Sequence, residues 1–163
     1  MPSDILTTLV TLVGAKLRAK GLMLTTAESC TGGWVAQAVT TIAGSSDWFE
    51  RGFVTYSDAA KQEMLGVSAR TLAARGAVSE QTAREMAIGA LAHSRAQVAL
   101  AITGIAGPGG GSADKPVGTV CFAWALKSGA VSAATRLFKG DRESVRRQSV
   151  IAALQGVLEL LEG

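Results

Sequence analysis

The sequence predicts a three-layer α/β/α sandwich around a mixed, mostly parallel sheet that includes a C-terminal hairpin. Three observations carry that expectation. Segments with helical spacing alternate with short apolar runs of strand length. Two such runs flank Lys127-Ser128-Gly129, which reads as the turn of an antiparallel hairpin. The chain has 163 residues, 48% hydrophobic and 18% charged, enough to bury one core, so a single domain over residues 1–163 is expected.

Taken in order, Leu6, Leu9, Val10, Val13 and Leu17 recur at three- and four-residue spacing, predicting a helix over 3–20 that ends near Gly21. LMLTTAE at 22–28 reads as a strand. Trp34, Val35, Ala38, Val39 and Ile42 then repeat at helical spacing and Gly44 closes the segment, so Ser29 stands where a strand hands over to a helix. FVTYS at 53–57 is a second strand, and DAAKQEML a short helix capped by Asp58. GAVS at 76–79 leads into a helix from Glu80 to about Ser94, and QVALAIT at 97–103 is a buried strand. GIAGPGGGSADKP, with five Gly and two Pro, is the loop that follows. Val117 to Ala125 and Ala130 to Phe138 form the hairpin, and a helix from about Asp141 to Leu161 finishes the chain.

Composition excludes several classes of function. Sixteen Lys and Arg against thirteen Asp and Glu give +3, with the basic residues scattered, so no specific nucleic-acid partner is expected. No run approaches the ~18 apolar residues of a spanning helix, so no membrane association is expected either. Asp4 precedes the first apolar stretch and basic residues follow it, the reverse of a signal peptide, so a cytoplasmic location is expected. Cys30 and Cys121 read as reduced, buried thiols. One histidine and no CxxC leave no zinc ligand set, and neither a metal nor an organic cofactor is expected.

The residues able to carry chemistry each have two readings. Ser29 in AESCTGG is either a cap or a nucleophile beside the free amides of a helix beginning near Cys30, with Gly32 and Gly33 permitting close approach of a ligand. The sole histidine, His93, lies within a helical pattern, which argues against a Ser-His-Asp triad. Lys61 and Tyr56, at the next strand-to-helix junction, are either a solvated lysine and a strand aromatic or a desolvated base with its neighbour. The glycine loop from Thr103 to Lys115 is either a flexible connection or a nest of amides for an anion, and it matches neither common phosphate-loop motif. Arg142 and Arg146, one turn apart, are a solvated basic face or anion ligands.

AESCTGG at 27–33, VTYS at 54–57 with Lys61, GAVS at 76–79, TGIAGPGGGS at 103–112, KPVGTV at 115–120 and GDR at 140–142 stand in one order along the chain. In this the sequence resembles the CinA C-terminal domain family, over nearly its whole length. Longer family members carry a further N-terminal domain, which is not expected within these 163 residues. The resemblance implies the activity of the PncC-type nicotinamide-nucleotide amidohydrolases: hydrolysis of the carboxamide of nicotinamide mononucleotide, a small pyridine nucleotide, in nucleotide recycling. It further implies that Ser29 is the nucleophile and that Lys61 and Tyr56 complete a Ser/Lys/Tyr site. Cys30, Thr31, Gly32, Gly33, Thr103, Gly104 and Gly107 would then border the substrate, with Arg142 facing its phosphate or the product carboxylate. A non-catalytic nucleotide-binding or competence-associated module of the same fold is the alternative. Apolar surface on the first helix suggests a homo-oligomer, a dimer being the simplest.

Overall fold

Successive residues of a strand face opposite sides of a sheet, and this chain divides its side chains by size along that alternation. The structure, a computed structural model, describes residues 4–162. It contains α1 (Ile5–Lys20), β1 (Leu24–Glu28), α2 (Trp34–Thr40), β2 (Phe49–Val54), α3 (Asp58–Leu65), α4 (Ala69–Arg75), α5 (Glu80–Ala92), β3 (Val98–Gly104), β4 (Thr119–Leu126), β5 (Val131–Leu137) and α6 (Arg142–Glu162). On one face of the sheet Leu24, Val98, Leu100, Ile102, Val120 and Phe122 pack with α1, α2 and α6. On the other face Ala27, Ala99, Ala101, Ala123 and Ala125 meet Ala83, Ala87 and Ala90 of α5. Small residues on both surfaces let α5 lie close against the strands.

The sheet order is β2-β1-β3-β4-β5. β1 pairs in parallel with both β2 and β3, while β3–β4 and β4–β5 are antiparallel, so only β4 runs against the others. The expected three-layer sandwich and hairpin are both present. The chain leaves β1 toward the α1/α2/α6 layer and leaves β2 toward the α5 layer. Loops that part in this way at the carboxyl ends of parallel strands open the crevice where ligands of open α/β sheets bind.

The boundaries differ from the sequence reading where tertiary context outweighs local pattern. α1 begins at Ile5 because Asp4 caps it, its carboxylate accepting from the Leu6 amide at 3.1 Å; the expected start at residue 3 lies outside the described residues. β2 runs from Phe49 to Val54 rather than 53–57: as an edge strand it tolerates the polar Glu50-Arg51-Gly52 that broke the apolar pattern. Ser57, not Asp58, caps α3, its hydroxyl accepting from the Ala60 amide at 3.0 Å. α4 was not anticipated, since none of its residues is buried; Ser68 starts it by accepting from the amides of Arg70 and Thr71. His93 terminates α5, with Nδ1 2.8 Å from the Gly89 carbonyl. No helix among the described residues is long and apolar enough to cross a membrane.

Candidate active site

Ser29 is the first residue beyond β1, and its amide donates to the Ile102 carbonyl at 3.0 Å, prolonging the parallel ladder with β3. The chain then reverses: the Gly32 amide donates back to the Ser29 carbonyl at 3.1 Å. Gly32 and Gly33 take φ of +59° and +104°, left-handed values that a side chain would strain. Gly33 precedes α2 without a capping side chain. Glu28 supplies the cap instead, 1% exposed and reaching across the turn. Its carboxylate accepts from the Thr31 hydroxyl at 2.6 Å, the Val35 amide at 2.9 Å and the Ala36 amide at 3.1 Å.

The second junction is aligned with the first. Glu28 lies opposite Val54 in the β1–β2 register, and the Thr55 amide donates to the Glu28 carbonyl at 2.8 Å. One turn into α3, Lys61 points back into the interior, 1% exposed. Its Nζ donates to Ser29 Oγ at 3.0 Å, to the Thr55 carbonyl at 3.1 Å and to the Tyr56 carbonyl at 3.3 Å. No ion pair among the described residues involves it. Burial pushes the Lys61 ammonium below the ordinary lysine value, opposed in part by the charge of Asp58. Two of its three hydrogen-bond partners are carbonyls, which only accept. Once the proton is lost, two N–H bonds stay on those carbonyls and the lone pair faces the Ser29 hydroxyl, the orientation a general base needs. Burial pushes the neighbouring Cys30 thiol up to about 12, so it stays protonated and does not compete as a nucleophile.

Ser29 and Lys61 open into a cavity of about 290 Å³, also lined by Cys30, Tyr56, Asp58, Val78, Thr103, Gly104, Gly107 and Arg142. Thr103 Oγ1 donates to the Ala77 carbonyl at 2.8 Å and ties the 76–79 segment to β3. Arg142 donates from Nη1 to the Gly107 carbonyl at 2.8 Å and from Nη2 to the Tyr56 hydroxyl at 3.3 Å, joining three walls. Tyr56 is 64% exposed, and it meets Lys61 through its carbonyl.

Eight of the residues singled out from sequence thus share one cavity. Thr31, Gly32 and Gly33, expected beside the substrate, do not line it. They form the turn behind Ser29, where Thr31 is wholly buried on Glu28. The oxyanion donors expected from a helix starting near Cys30 are corrected too. α2 starts at Trp34, and its leading amides are taken by Glu28 and the Thr31 carbonyl. Among the described residues, the amides of Cys30 and Thr31 donate to no acceptor on another residue; the Cys30 amide meets only its own thiol.

The model of the CinA C-terminal domain matches residues 6–161. The chain belongs to this family. It is 60% identical over 146 residues to the nicotinamide-nucleotide amidohydrolase PncC of Enterobacter agglomerans, covering 90% of this chain and 89% of that protein. With the protein of the same name from Pseudomonas putida it shares 53% over 157 residues, 96% of this chain and 98% of the relative. The crystal structure of the competence/damage inducible protein CihA from Agrobacterium tumefaciens superposes with a TM-score of 0.94 at 48% identity, covering 100% and 99% of the two chains.

Two contributors to this CinA-domain site escaped the sequence reading in their roles. Glu28 sat in the AESCTGG motif without a function; its signal was the one charged residue of LMLTTAE, ending the strand just before a glycine turn. Arg146 had two readings, a solvated basic residue or an anion ligand beside Arg142, and it is neither: it does not line the cavity. It donates to the Cys30 carbonyl from Nε and to the Thr31 carbonyl from Nη2, each at 3.1 Å, with its guanidinium 5.4 Å from the Trp34 ring centroid.

Proposed function

We propose that this CinA-domain protein hydrolyses the ring carboxamide of nicotinamide mononucleotide, giving nicotinic acid mononucleotide and ammonia. The observation that carries the reading is the 3.0 Å contact between Lys61 Nζ and Ser29 Oγ, made where burial favours the neutral amine. The names of the two amidohydrolase relatives support the substrate.

Ser29 Oγ attacks the amide carbon while neutral Lys61 takes its proton. The carbonyl oxygen becomes an oxyanion, and the donor assigned to it is the amide of Cys30, the residue after the nucleophile and one that lines the cavity. As the C–N bond breaks, Lys61 returns the proton to nitrogen and ammonia leaves. Water then attacks the acyl ester with Lys61 as base, releasing the acid and restoring the Ser29 hydroxyl. Tyr56 acts through its carbonyl, which orients the lysine, and through its hydroxyl, which steadies Arg142. Arg142 and the amides of Gly107, Gly109 and Gly110, which donate to no acceptor among the described residues, suit the nucleotide phosphate.

The test is ammonia release from purified protein given nicotinamide mononucleotide, with nicotinamide, NAD and the Ser29→Ala variant as controls. Release from the mononucleotide that disappears in the variant is the expected result. Saturable nucleotide binding without ammonia would leave a binding module in its place.

A further inference from the structure

We infer that Arg146 is a positioning residue that holds the nucleophile turn in its catalytic shape by drawing two successive carbonyls away from the cavity. The inference rests on the amidohydrolase reading above.

Arg146 comes from α6, a helix distant in sequence from the Ser29 turn, and its planar fork matches two adjacent acceptors. Nε and Nη2 take the carbonyls of Cys30 and Thr31, and the Trp34 ring flanks the guanidinium. These three contacts fix the side chain without any carboxylate partner: Arg146 forms no ion pair among the described residues. A guanidinium whose hydrogen bonds all go to main-chain carbonyls stabilises a backbone shape rather than another charge.

The shape matters because of where negative charge develops. A peptide carbonyl and the amide of the same plane point in opposite directions. Arg146 does not line the cavity, so the carbonyls it holds are directed out of it. Drawing the Cys30 carbonyl toward α6 turns the Thr31 amide the other way and keeps a carbonyl dipole from facing the oxyanion. Glu28 holds the far end of the same turn through the amides of Val35 and Ala36. The turn is therefore gripped by an anion on its N–H groups and a cation on its C=O groups, with the Cys30 and Thr31 amides unspent between them. In helix α6, Arg142 and Arg146 face one way and divide the work, Arg142 on the cavity and Arg146 behind it.

A residue acting in this way affects the transition state more than the ground state. Arg146→Lys, whose ammonium cannot fork across both carbonyls, should lower kcat about 10- to 100-fold, with KM for nicotinamide mononucleotide changed less than about threefold. The pH at which kcat/KM rises should stay at the wild-type value, because Lys61 keeps its contacts. Arg146→Ala should lose at least as much kcat and regain part of it on addition of guanidinium at millimolar concentration, but not of methylammonium. Arg147→Lys, at the surface pair with Asp4, is the control and should behave as wild type. Circular dichroism checks that each variant is folded, and should Arg146→Ala not fold, Arg146→Lys decides alone. Wild-type kcat in Arg146→Lys, or a fall expressed only in KM, would overturn the inference while leaving the amidohydrolase reading intact. An inactive wild-type protein would instead remove that reading itself.

Discussion

Lys61 Nζ lies 3.0 Å from Ser29 Oγ although 32 positions separate the two residues in the chain. Parallel pairing of β1 with β2 sets Glu28 beside Val54, so the residues that follow each strand emerge side by side. The first turn of α3 then carries the lysine back onto the serine. Replacing Lys61 by Met removes the base while keeping an unbranched side chain in the buried site. The rate of ammonia release should fall about 10²- to 10⁴-fold, with the far-ultraviolet circular dichroism of the wild type.

The pH dependence of that reaction follows from burial. Only the neutral amine accepts the serine proton, so kcat/KM should rise with pH to a plateau. Its midpoint should lie below the ordinary lysine value of 10.5, because desolvation lowers Lys61 in the folded protein. A midpoint at or above 10.5 would remove lysine from the role.

Stability carries the same signature with a definite sign. Between the lowered folded value and 10.5 the unfolded chain binds more protons than the folded one, so stability rises with pH across that window. Below it both states are protonated and the burial penalty is felt in full. Urea unfolding at several pH values should show wild type gaining on Lys61→Met as pH climbs toward 10.5. A pH-independent difference between the two proteins would contradict the account.

Glu28→Ala strands three donors at once, the Thr31 hydroxyl and the amides of Val35 and Ala36. The expected loss in denaturant unfolding is at least about 1.5–3 kcal/mol, the range for a single hydrogen bond to a charged group.

Tyr56→Phe should be mild. The carbonyl that orients Lys61 is untouched, and only the 3.3 Å bond from Arg142 to an exposed hydroxyl is lost. About a fivefold change in kcat/KM is the scale of one such bond. A loss as deep as that of Lys61→Met would show instead that the hydroxyl relays protons.

Much of this site was legible in the sequence because its parts sit at punctuation marks. Ser29 and Lys61 each stand at a junction between a strand and the helix after it, and the glycine loop declared itself by composition. Strand identity was legible where both faces are buried, as in Val98–Gly104, and failed at Phe49–Gly52, where an edge position lets polar side chains reach water. α4 was hidden because a helix with no buried face leaves no apolar period to read. The work of Glu28 and Arg146 depends on which backbone groups they meet, and that is set by a turn and by a helix more than a hundred residues away. Residue spacing holds no record of such contacts.

The central claim, that Ser29 forms the bond to substrate, is tested most directly by trapping it. Wild-type protein is quenched in acid during turnover of nicotinamide mononucleotide and mapped by mass spectrometry. The account predicts that the peptide containing Ser29 carries the acyl group of nicotinic acid mononucleotide, and that Ser29→Ala shows neither the adduct nor ammonia release. Ammonia released by Ser29→Ala at the wild-type rate would contradict it.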